Sequence, residues 1–132
     1  MSGKVMVVDD SAMSRRSLKR ILESGNYEVI EADDGMAALE KYFLEKPDLV
    51  MLDMLMKGMY GLEVLSKLRE MDKDVRVVIV SADIQNSTRE MAKEAGALDF
   101  INKPFAAESV LNIVTRILSE ETRPNGIDRE AE

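Results

Sequence analysis

A chain of 132 residues, 45% hydrophobic and 33% charged, is long enough for one globular domain with a real core and a well-solvated surface. It has neither cysteine nor histidine, which excludes disulfides, zinc held by those ligands and triads with a histidine base. The formal charge of −7 argues against a non-specific nucleic-acid binder, because phosphate contacts need clustered Lys and Arg.

The N-terminal MSGK leads directly into an apolar run, so no signal peptide is expected. No run approaches the roughly 20 apolar residues of a membrane span. Lys4–Val8 reads as the first strand, ending in the paired carboxylates Asp9 and Asp10. Next comes a helical stretch in which Leu18, Ile21 and Leu22 share a face and Gly25 is the stop signal. Its basic stripe, Arg15, Arg16, Lys19 and Arg20, reads as a solvated helix face. Glu28–Ala32 is the second strand, followed by a helix carrying Ala38, Leu39 and Tyr42 and ending near Pro47. Leu49–Leu52 is the third strand and runs into Asp53; Gly61, Val64, Leu65 and Leu68 mark the helix after it. A fourth strand is expected over Val75–Val80, with Ser81 after it, and a weaker helix from about Ser87 to Ala95. Asp99–Ile101 is the fifth strand, leading to Lys103 and Pro104. Val110, Leu111, Val114, Ile117 and Leu118 then give the clearest helical repeat of the chain.

Short, mostly β-branched strands alternating with amphipathic helices predict an α/β fold, a doubly wound parallel sheet with helices on both faces. The domain is expected over 1–119. The tail from 120 to 132 is acidic, carries the breakers Pro124, Asn125 and Gly126, and is expected to be disordered.

Such a sheet binds ligands outside the carboxyl ends of its strands. There the sequence sets Asp9 and Asp10, Asp53, Ser81 and Lys103. Three clustered carboxylates are costly unless a cation sits among them or one takes a proton. With no nitrogen or sulfur ligand available, the cation is an oxygen-liking one, Mg²⁺ by preference. Metal, lysine and hydroxyl around one aspartate make a cradle for a phosphoryl group, and Asp53, on the middle strand, is the candidate nucleophile. Each residue also has a plainer reading. Asp10 or Ser11 can cap the first helix, Ser81 can begin a turn, and Lys103 can be a solvated lysine. Their joint occurrence favours the site.

These residues resemble the receiver domain of two-component response regulators, most closely its single-domain chemotaxis members. The matching pieces are VDDSAMSR, PDLVMLDMLMKGMYGLEVL, VVIVSA and GALDFINKPF, in family order over about residues 4 to 118. The resemblance, and not the residue pattern, gives the flavodoxin-like strand order 2-1-3-4-5. It implies a phosphorylation-dependent signalling switch in which a partner sensor histidine kinase phosphorylates Asp53. It further implies that Asp10 binds Mg²⁺ directly, Asp9 mainly through water, Asp53 by a carboxylate oxygen and Leu55 by its backbone carbonyl. Lys103 then pairs with the phosphoryl group, Ser81 bonds to it and shifts, and Phe100 stands where the family has its switch aromatic, although core packing explains a phenylalanine equally well.

The downstream target is expected to be a protein docking on the face of helix 4, strand 5 and helix 5. The molecule would be cytoplasmic, a monomer or a phosphorylation-dependent dimer, and without direct nucleic-acid contact. Lys57 departs from the usual proline and is expected to loosen its loop and favour anionic donors. Leu55 and Asp83 occupy positions that tune phosphate lifetime. Met51, Met54, Met56 and Met59 read as core filling. A phosphatase of the haloacid dehalogenase type would need an acid where Leu55 stands. A flavin or nucleotide carrier would want a glycine- or hydroxyl-rich loop where the two aspartates stand.

Overall fold

The computed structural model describes residues 3–56, 58–82 and 85–120. Five strands and five helices alternate: β1 Lys4–Val8, α1 Ala12–Ser24, β2 Glu28–Ala32, α2 Gly35–Glu45, β3 Leu49–Leu52, α3 Gly61–Met71, β4 Val77–Ser81, α4 Asn86–Glu94, β5 Asp99–Asn102 and α5 Ala107–Glu120. All strand pairs are parallel, and the order is β2-β1-β3-β4-β5. The doubly wound α/β sheet expected from the sequence is therefore present, with β3 at its centre.

Alternation of side chains along each strand divides the core in two. Met6, Val8, Val50, Leu52, Val77 and Ile79 point to one face, where Ala38 and Tyr42 of α2, Val64, Leu65 and Leu68 of α3 and Ala92 of α4 cover them. Val5, Val7, Leu49, Met51, Val78, Val80 and Ile101 point to the other, beneath Leu18 and Leu22 of α1 and Val110, Val114 and Ile117 of α5. Burying each such side chain contributes about 1.5–3 kcal/mol, so the central strands are held from both sides.

Local chemistry fixes where the helices begin. The Ser11 hydroxyl accepts from the Ser14 amide (3.2 Å), and Asp34 Oδ1 accepts from the Ala37 amide (2.7 Å), capping α1 and α2. Of the two residues named as candidate caps for α1, Ser11 is the cap. Two boundaries differ from expectation. The Val75 amide donates to the Asp72 carbonyl (3.1 Å), closing a turn after α3, so this buried valine belongs to the core but not to the β4 ladder. At its other end β4 includes Ser81, which pairs with Asn102, so β5 extends one residue past Ile101. The helix α5 runs through Glu120, the first residue of the expected tail. The rest of that tail lies outside the described residues.

Candidate functional site

β1 and β3 lie side by side with Val8 opposite Leu52. The next residue of each is an aspartate, so parallel register alone brings Asp9 and Asp53 together. The Asp53 amide donates to the Val8 carbonyl (3.0 Å), and the Asp9 amide to the Ala32 carbonyl (3.2 Å), so both start from ordered backbone. Both side chains are buried, whereas Asp10 is exposed at the pocket mouth. Carboxylate oxygens of Asp9, Asp10 and Asp53 lie within 4.8 Å of one another.

Lys103 follows β5, and its amide donates to the Ser81 carbonyl (2.9 Å). Its ammonium reaches across β4 to Asp9 Oδ2 at 2.7 Å and Asp53 Oδ2 at 3.3 Å, and it lies 3.5 Å from the Ser14 hydroxyl. Lys103 bonds both aspartates, and its shorter contact is with Asp9. The second oxygens are also partnered. Asp9 Oδ1 accepts from the Ser11 amide (2.9 Å), and Asp53 Oδ1 from the Leu55 amide (3.2 Å).

One ammonium does not neutralise three carboxylates. At an effective dielectric of 20, two like charges 4 Å apart repel by about 4 kcal/mol, so the pocket favours a proton or a further cation. The Asp53 carboxyl accordingly sits above its ordinary pKa. Burial is the main cause and the Asp9 charge adds to it, while the Leu55 amide and Lys103 pull the other way. Burial alone would lower the Lys103 pKa, but its bond to Asp9 and the charges of Asp53 and Asp9 together raise it. It therefore remains an ammonium.

The donor set suits a hard divalent cation: three carboxylates from two loops, one of them open to water, and no soft ligand. Asp9, Asp10 and Asp53 would hold it, and the exposure of Asp10 leaves room for retained waters.

Ser81 is fully buried at the end of β4, the strand beside β3. Phe100 does not join the carboxylates. From β5 it pairs with Ile79 of β4 and packs half-buried on the α4 face, with the Arg89 guanidinium 4.6 Å from its ring centroid. Met51 is buried in the core under α1 and α5, and Met54 and Met56 in the other, against which Met59 also packs, as expected of filling side chains. Lys57 and Asp83 lie outside the described residues. Sequence reasoning missed Ser14, beside Lys103, and Arg15, whose Nη1 donates to the Asp9 carbonyl at 2.7 Å. The serine lies one helical turn past the paired aspartates, and that spacing was the available signal.

Among the described residues no helix is long and apolar enough to cross a membrane. The family model described as "Response regulator receiver domain" matches residues 5–115. The chain is 39% identical over 120 residues to the "Chemotaxis protein CheY" of Bacillus subtilis, covering 90% of this chain and 100% of that protein. It is 36% identical over 131 residues to "Response regulator MprA" of Mycolicibacterium vanbaalenii, covering 99% of this chain but only 57% of that longer protein. Among solved structures it is similar to a CheX–CheY–BeF3–Mg²⁺ complex from Borrelia burgdorferi, with TM-score 0.84 and 34% identity, covering 87% of this chain and 88% of that one. Phosphorylation-dependent signalling in two-component systems is the function of this family, and the chain belongs to it as a response regulator receiver domain.

Proposed function

We propose that Asp53 is the phosphoryl acceptor and that a sensor histidine kinase is the donor. The observation carrying this reading is the Lys103 ammonium bridging Asp9 and Asp53 within a three-carboxylate pocket. An Asp53 carboxylate oxygen attacks phosphorus in line, the N–P bond of a phosphohistidine breaks, and the imidazole nitrogen leaves with its electron pair. Since this chain contains no histidine, the donor is another protein. Lys103 turns from Asp53 to the arriving phosphoryl oxygens, keeping its hold on Asp9. The Leu55 amide keeps the acceptor carboxylate oriented by its bond to Oδ1. When bound, Mg²⁺ supplies charge neutralisation for the transferring oxygens. Asp10, Asp9, an Asp53 oxygen and the Leu55 carbonyl would hold it. A relative that forms a complex with BeF3, Mg²⁺ and a partner protein supports a cation and a phosphoryl-like group in such a pocket.

The output is a population shift. Ser81 moves toward the phosphoryl group, Phe100 takes the space vacated, and the face of α4, β5 and α5 changes for a protein target. A shift of a few kcal/mol between the two states suffices. The protein would act in the cytoplasm as a regulatory acceptor with only slow self-dephosphorylation, as a monomer or a phosphorylation-dependent dimer. Intact-mass measurement after incubation with acetyl phosphate and Mg²⁺ tests the acceptor. One phosphoryl group is expected on the wild type and none on Asp53→Asn; full labelling of that variant overturns the assignment.

A further inference from the structure

The four basic side chains at the start of α1 are not one solvated face. Arg16 and Arg20 are exposed, whereas Arg15 and Lys19 turn toward β2 and meet Glu31. The Arg15 side chain is only 17% exposed, and its two ends do different things. Nε pairs with Glu31 Oε1 at 3.2 Å, and Nη1 donates to the Asp9 carbonyl at 2.7 Å. Glu31 is held in turn by Lys19 at 3.6 Å on its other oxygen, and its main-chain carbonyl accepts from Lys41.

The Asp9 carbonyl lies one residue beyond the β1 ladder, which ends at Val8. It belongs to the peptide joining Asp9 to Asp10, so its direction sets where the Asp10 carboxylate points. From the sheet, the Ala32 carbonyl fixes only the amide side of Asp9. We infer that Arg15, anchored by Glu31, is a positioning residue for the divalent-cation site: it holds the Asp9–Asp10 peptide so that Asp10 faces the cluster. The inference rests on the cation site proposed above. A lone guanidinium beside that site would repel the cation; Glu31, shared with Lys19, offsets part of that charge while it anchors the donor.

Charge and position make opposite predictions, which allows a decisive test. If Arg15 acted only through its charge, removing it would tighten cation binding, by an amount that fades with salt. If it positions Asp10, removing it weakens binding at every salt concentration. The full-length chain is titrated with Mg²⁺ by thermal shift and with Mn²⁺ by electron paramagnetic resonance, at 0.15 and 0.5 M salt. Groups that orient metal ligands from behind change affinity by about 10–100-fold, and Arg15→Ala is expected at the lower end, about tenfold weaker. Arg15→Lys, which keeps the charge but not the two-ended fork, should recover only part. Arg15→Met, which keeps the length and bulk but neither the charge nor the donors, should weaken binding too and carries the test if Arg15→Ala fails to fold. A folded Arg15→Ala that binds like wild type, or more tightly, overturns the inference while leaving the site intact. A wild type that binds neither ion overturns the site reading, and this inference with it.

Discussion

Asp53 shows how a buried carboxylate costs stability. Its pKa is raised mainly by burial, so the native state holds that proton more tightly than the unfolded chain does. Its contribution to stability is then best at acid pH and declines as pH rises through the raised folded value. At neutral pH the ionised carboxylate is a net cost to the metal-free protein. Asp53→Asn keeps the shape and an acceptor for Lys103 while removing that cost. In the presence of a chelator the variant should melt higher at pH 8 by roughly 1 kcal/mol, about 4 °C for a domain of this size. The difference should close as pH falls toward the ordinary aspartate range. Melting curves at pH 8 and pH 4 check this; equal curves at both would show that burial does not strain the carboxylate. At this scale Asp9, Asp10, Asp53 and Lys103 were legible because a parallel sheet sends every strand end to one edge. Arg15 was not, since its contact depends on the rotation of α1 about its axis and on a glutamate from another strand.

Between the strand that leads into Asp53 and the helix after it, one small residue governs the spacing. The first residue of α3 is Gly61, whose amide donates to the Met54 carbonyl (3.0 Å). A Cβ there would come within 2.6 Å of both the Asp53 carbonyl oxygen and the Met54 Cα. Those are backbone atoms, and no side-chain rotation relieves the clash. Gly61→Ala should therefore push α3 off the acceptor loop, at a cost of about 1–3 kcal/mol. It should also slow labelling by acetyl phosphate, because the amides that orient Asp53 move with the loop. Denaturant melts and labelling rates check both effects; wild-type values for both would mean that α3 yields freely. The same local physics explains which elements the sequence showed. The helix α5 was clear because Val110, Val114 and Ile117 recur on one buried face. By contrast α4 was faint, since Ala92 is its only fully buried hydrophobic among the described residues. The start of β4 was misplaced because Val75 is as buried as a strand residue, and only its hydrogen bond to Asp72 shows that it belongs to a turn.

Across the whole molecule, two hydrophobic cores hold a sheet whose carboxyl edge concentrates negative charge, and stability and ligand binding are linked there. A cation that binds the folded pocket and not the unfolded chain stabilises the fold by mass action. With Mg²⁺ at about 100 times its dissociation constant the gain is about 2.7 kcal/mol, or on the order of 10 °C. The unfolded chain gives little competition, because Asp53 is far in sequence from Asp9 and Asp10 and joins them only when β1 and β3 pair. Asp10 is exposed and away from both cores, so Asp10→Ala should not lower the metal-free melting temperature, and relief of its repulsion from Asp9 and Asp53 should raise it slightly. The same substitution should remove most of the rise with Mg²⁺, since it deletes the ligand with the freest approach from solvent. Melting temperature against Mg²⁺ for the two proteins separates fold from site in one experiment. A mutant that rises as far as wild type would place the cation somewhere other than the edge where β1 and β3 end.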